Sequence, residues 1–72
     1  MNYIITEKPQ SYVIYIDADK ITTLCNIADR IEDFFPASVL EVTHNRIARQ
    51  GSIIIAKSCF ENIDEIKKIC YE

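Results

Sequence analysis

Twice along the chain, two short runs rich in β-branched residues precede one segment of helical period, and this doubled order restricts the fold more than any single residue does. The first pair of runs is Tyr3 to Thr6 and Ser11 to Asp17, separated by Glu7, Lys8, Pro9 and Gln10, which reads as a hairpin with Pro9 in its turn. Tyr12 to Ile16 are apolar without a break, the mark of a strand in the middle of a sheet. Ile21, Leu24, Cys25, Ala28, Ile31 and Phe35 then recur at steps of three and four, with Ile27 and Phe34 widening the stripe. Asp17 or Asp19 is placed to cap this helix, and Pro36 to end it. From Ser38 the pattern is strand-like again. Val39, Leu40 and Val42 lead to a polar tip, and Ser52 to Lys57 return with Ile53, Ile54 and Ile55 in succession. The turn between them falls at Gly51 or at His44 to Arg46. The last helix begins at Ser58 with Glu61 or at Asn62 with Glu65, both spaced as capping boxes, and buries Ile63, Ile66, Ile69 and Cys70.

The expected fold is therefore α+β, a single domain over residues 1–72. It is a two-layer ββαββα sandwich with both helices on one face of a four-stranded mixed sheet of order 1-2-4-3, in which Tyr12 to Ile16 and Ser52 to Ala56 lie parallel at the centre. Topologically this is the ferredoxin-like sandwich circularly permuted, with its last strand moved to the front. Such a topology speaks to fold alone, since one fold hosts many functions.

Composition removes whole classes of function. With 14 isoleucines, one glycine and 49% hydrophobic residues, the chain is built to fold and is not a disordered linker. No apolar run reaches the roughly 18 residues of a membrane span, and Met1 to Thr6 lack the zones of a secretion signal, so the expectation is a soluble, cytoplasmic protein. Cys25, Cys59 and Cys70 match no metal-ligand spacing; Cys25 and Cys70 fall on apolar helix faces and are expected to be buried, while Cys59 lies between strand and helix. Asp17 and Asp19 could hold a cation, but capping alone accounts for them. The single histidine, His44, has no GxSxG-type motif to serve and is expected on the hairpin surface. There is no P-loop, GxGxxG or HExxH, so the expectation is a non-enzyme without cofactor or metal.

Charge is unevenly spread. Residues 17–35 carry Asp17, Asp19, Asp29, Glu32 and Asp33 against Lys20 and Arg30, while residues 36–57 carry Arg46, Arg49 and Lys57 against Glu41 alone. A net charge of -3 does not mark a nucleic-acid binder, and Ser52 to Lys57 supply no second aromatic beside Tyr12 or Tyr15 to stack bases. What remains is protein binding. With the helices on one side, Val13, Tyr15, Val39, Thr43 and Ile54 are candidates for the uncovered sheet face. The expected function is a small non-enzymatic interaction module, an inhibitor or adaptor that occupies a surface of a larger protein. It acts through the Thr43 to Arg49 hairpin and adjacent sheet, with Tyr15, Thr43, His44, Asn45, Arg46 and Arg49 as candidate contact residues, or through the acidic helix face of Asp29, Glu32 and Asp33. An isoleucine-rich, glycine-poor chain of this size suits a phage or mobile-element inhibitor of a host defence or nucleic-acid enzyme, of which an anti-CRISPR is one case, the acidic trio then imitating phosphates. A homodimer is a further arrangement. The alternative is a dimeric nucleic-acid-binding regulator using the basic hairpin of residues 43–57.

Overall fold

The computed structural model describes residues 3–71; Met1, which enters the reading of the leader, lies outside them. The elements follow the expected order: β1 (Tyr3–Glu7), β2 (Ser11–Asp17), α1 (Ile21–Phe34), β3 (Val39–Asn45), β4 (Gln50–Ala56), a single 3-10 turn (Lys57–Cys59) and α2 (Ile63–Tyr71). The sheet order is β1-β2-β4-β3, which places the two unbroken apolar runs at the centre.

The direction of the central pair differs from the expectation. β2 and β4 are antiparallel, with Ser11 opposite Ala56, Ile14 opposite Ile53 and Asp17 opposite Gln50, so the sheet is antiparallel throughout and not mixed. Connectivity requires this. α1 returns the chain along the sheet, so that β3 runs the same way as β2; the β3–β4 hairpin then reverses the chain, and β4 enters between them pointing against both. The permuted ferredoxin-like order is unaffected.

One sheet face carries Tyr12, Ile14 and Ile16 of β2 with Ile53 and Ile55 of β4. Against it pack Leu24, Ile27, Ala28 and Ile31 of α1 and Ile66, Ile69 and Cys70 of α2, with Phe60 closing the end between Tyr12 and Phe35. In β3 a bulge lies between Val39 and Glu41. The extra residue, Leu40, stands out into solvent, and the shift lets both Val39 and Val42, three positions apart, turn toward the core. Val39 is therefore a core residue and not part of the uncovered face.

Other local expectations resolve at single residues. α1 ends where Pro36 dictates, with the Phe35 N–H bonded to the Ile31 carbonyl. At its start neither aspartate caps: the N-cap is Lys20, with extended backbone and no side-chain hydrogen bond. Asp17 is still in β2, where it accepts from Gln50 Nε2 at 3.5 Å, and Asp19 faces Arg49 at 3.8 Å. α2 takes the later start. Asn62 Oδ1 accepts the Asp64 N–H at 2.9 Å, and Glu65 Oε1 reaches back to the N–H groups of Asn62 and Glu61. Cys25 is exposed, contrary to expectation, because the buried stripe of α1 is centred on Leu24, Ile27, Ala28 and Ile31 and leaves Cys25 and Ile21 at its margin.

Candidate interaction surface

Because both helices cover the face of Tyr12 and Ile14, the alternate residues of every strand form an open face on the other side. The strand register sets its rows. Ile4, Tyr15, Ser52 and Thr43 lie side by side across all four strands, and Thr6, Val13, Ile54 and Glu41 form the next row. Tyr15 and Thr43 thus share one row, as the sequence reading requires. Thr43 Oγ1 and Ser52 Oγ are 2.6 Å apart, so this pair is satisfied within the sheet. The centre, Val13, Tyr15, Ser52 and Ile54, carries no formal charge. Val13 is nearly buried by its neighbours, whereas Ile4 is 68% and Tyr15 48% exposed.

Asn45 carries this face into the β3–β4 tip. The turn is made by residues 46–49, with Gly51 already inside β4, and the left-handed position is taken by Arg49 at φ 55°. Asn45 Oδ1 accepts the N–H groups of Ile47 and Ala48, both at 3.0 Å, which closes the tip by a side chain. The tip is also fastened to the β2–α1 connection: the Ala18 N–H donates to the Arg49 carbonyl at 3.0 Å, and His44 Nε2–H donates to the Ala18 carbonyl at 2.9 Å. His44 is half-buried on the helix side of the sheet and is an anchor of this connection, not a free surface group. At the apex stands Ile47, 97% exposed, which lies within the Thr43 to Arg49 hairpin but is not among its individually named contact residues. Its only signal was to be the one large aliphatic residue in the stretch from Thr43 to Arg49.

The acidic face of α1 lies in the other layer and forms a separate surface. Asp29 and Asp33, one helical turn apart, are exposed. Glu32 is not free: its carboxylate accepts the Ala37 N–H at 2.6 Å and the Val39 N–H at 3.1 Å, closing the connection from α1 to β3. The acidic trio is thus a pair of solvent carboxylates beside a structural one. Of the three cations of the basic hairpin, Lys57 pairs with Glu7, donates to the Lys8 carbonyl and lies 5.6 Å from the Tyr12 ring centre, and Arg49 faces Asp19. Arg46 has no ion pair among the described residues.

The cysteines are graded by burial, from exposed Cys25 through half-buried Cys59 to buried Cys70. Burial holds the Cys70 thiol above its ordinary pKa of 9.0, and the Arg30 guanidinium opposes that shift. Between the ordinary and the raised value the unfolded chain has lost a proton that the folded chain keeps, so stability falls as pH rises through that window. Urea midpoints are expected to decline from about pH 9 upward, and Cys70→Ala to flatten that part of the decline. Iodoacetamide at pH 8 should modify Cys25 first and Cys70 last; equal rates would contradict the burial order.

No group of three metal-ligating side chains occurs among the described residues, and no described helix is long and apolar enough to cross a membrane. Comparison with family models, with curated proteins and with solved structures finds no match for this chain.

Proposed function

We propose that this chain is a small non-enzymatic protein-interaction module, an inhibitor or adaptor that covers a surface of a larger protein with its open sheet face and the adjoining tip of residues 46–49. One observation carries the reading. The face left bare by the helices is uncharged at its centre and presents Ile4 and Tyr15 to solvent, and through Asn45 it continues into a hydrogen-bonded tip with Ile47 at its apex. Tyrosine and exposed aliphatic residues on a rigid sheet supply contact area at small cost in conformational entropy. The target class first in order is a host defence or nucleic-acid enzyme, with the chain as a phage or mobile-element inhibitor of the anti-CRISPR kind, a choice supported by size and composition. The nucleic-acid reading loses support from Lys57, which is engaged by Glu7, the Lys8 carbonyl and the Tyr12 ring, so that only Arg46 and Arg49 of the hairpin's three cations face solvent in a chain of net charge -3.

The test is capture from a cell lysate by the tagged chain, with and without nuclease, using the wild type, Tyr15→Asp and Tyr15→Thr, the last keeping a β-branched residue at this half-exposed strand position, with thermal unfolding of each variant measured in parallel. A stoichiometric protein is expected to survive nuclease and moderate salt and to be lost with Tyr15→Asp. Material that disappears with nuclease overturns the proposal in favour of a phosphate-binding role.

A further inference from the structure

We infer that Ile47 is the anchor of the interface, entering an apolar pocket on the partner protein whose rim carries carboxylates that meet Arg46 and Arg49. The inference rests on the protein-interaction reading and specifies the chemistry of the partner.

Three observations converge on the tip. Ile47 is 97% exposed, the highest value among the exposed large hydrophobic residues, so its side chain gains almost nothing from folding. It is nevertheless held in place. Asn45 Oδ1 accepts both the Ile47 and the Ala48 N–H, and the tip is tied to the β2–α1 connection through Arg49 and His44. A free apolar side chain on a loop that the protein itself has ordered meets the requirement for an anchor, because little freedom remains to be lost on binding. The third observation is charge. Arg46 has no ion pair among the described residues, and the Arg49–Asp19 contact, at 3.8 Å with both side chains 77% exposed, is weak enough to be exchanged for a partner's carboxylate. Tip cations around an aliphatic apex complement an apolar pocket with an acidic rim, and they disfavour a basic one.

The experiment places the photo-crosslinking residue p-benzoylphenylalanine at position 47, and separately at exposed position 26 on α1 as a control, in cells expressing the full chain. The protein joined at position 47 is purified and titrated with wild type, Ile47→Leu, Ile47→Asp and Arg46→Glu. The expected result is a crosslink from position 47 and not from 26, to a peptide of apolar residues bordered by Asp or Glu. Ile47→Asp should weaken binding roughly 100-fold, Arg46→Glu roughly 10-fold with a reduced salt dependence, and Ile47→Leu less than about 5-fold. Since position 47 is solvent-exposed, all variants are expected to melt with the wild type, which separates loss of binding from loss of fold. A target that binds wild type and Ile47→Asp equally overturns the anchor while the interaction reading stands. A crosslink to a second copy of the chain, or tighter binding by Arg46→Glu, overturns the acidic-rimmed pocket. Absence of any joined or captured protein overturns both readings.

Discussion

Gly51→Val is expected to lower stability by about 3 kcal/mol, a large share of the roughly 4–11 kcal/mol available to a domain of this size. A Cβ on Gly51 would run into Leu24 Cδ1 and lie 2.8 Å from the Thr43 carbonyl oxygen and 3.0 Å from Leu24 Cδ2. Leu24 is fully buried and presses α1 onto β4 at this point, so the missing side chain is what allows helix and sheet to meet. Gly51 does not have a positive φ, so the expected penalty comes from volume and not from backbone conformation. Gly51→Ala introduces the same Cβ with less bulk and gains about 0.5 kcal/mol from a stiffer unfolded chain, for an expected net cost of about 2 kcal/mol. A double-mutant cycle with Leu24→Ala separates the two contacts. Removing the leucine methyl groups relieves the helix side, while the Thr43 carbonyl belongs to the backbone of the neighbouring strand and stays in place. Urea unfolding should therefore show a positive but incomplete rescue. An unchanged midpoint for Gly51→Ala would mean that Leu24 does not need the space.

The same glycine shows where sequence reasoning fell short. A lone glycine beside a polar stretch carries the usual turn signal, and nothing local distinguishes a residue needed for its φ from one needed for its lack of a side chain. The deciding fact is the position of Leu24, 27 residues earlier in the chain, which is tertiary. The strand order, by contrast, was legible because unbroken apolar runs at Tyr12 to Ile16 and Ile53 to Ile55 belong in the interior of a sheet, and only one short-loop topology puts both there. The direction of their pairing follows from counting chain reversals, which composition does not display. The helix caps depend on a shift of one residue. Asp19 has the right chemistry, but Lys20 occupies the cap position, and the carboxylate faces Arg49 instead.

Legibility of the surface divides along the same line. Tyr15 and Thr43 could be placed on one face from strand alternation alone, since register fixes which residues share a row. Val39 could not, because the bulge at Leu40 changes the alternation between Val39 and Val42, and a bulge has no signature in three ordinary aliphatic residues. Within the Thr43 to Arg49 hairpin nothing marks out Ile47 individually, because a hairpin between Val42 and Ile53 can turn at several places, and one with its turn at Gly51 would put Ile47 within a strand. Its exposure follows from the turn at residues 46–49, which Asn45 closes with its own side chain.

Glu32 carries the second large expected effect and bears directly on function. Charge reversal of Asp29, Glu32 and Asp33 together would be the natural test of an acidic surface that imitates phosphates, yet the three residues do different work. The Glu32 carboxylate accepts the N–H groups of Ala37 and Val39, and Ala37 has the left-handed φ of 65° that a side chain disfavours. Those charge-assisted bonds offset the strain of the connection and set the entry of β3. Glu32→Ala is expected to cost about 2 kcal/mol, and Glu32→Lys somewhat more, because two backbone donors lose their acceptor. Glu32→Gln, which keeps one acceptor oxygen, should recover about half. Asp29→Lys and Asp33→Lys, at exposed positions with no hydrogen bond or ion pair among the described residues, should change stability by less than about 0.5 kcal/mol. Urea unfolding of the single variants checks the order, and amide exchange at Ala37 and Val39 should accelerate in Glu32→Ala while the exchange of Ile14 and Ile53 follows global stability. If Glu32→Ala proves as stable as Asp29→Lys, the carboxylate is available to a partner, and α1 again offers three negative charges. If the expected order holds, any loss of target binding in the triple reversal belongs first to the fold, and only Asp29→Lys with Asp33→Lys tests the acidic face.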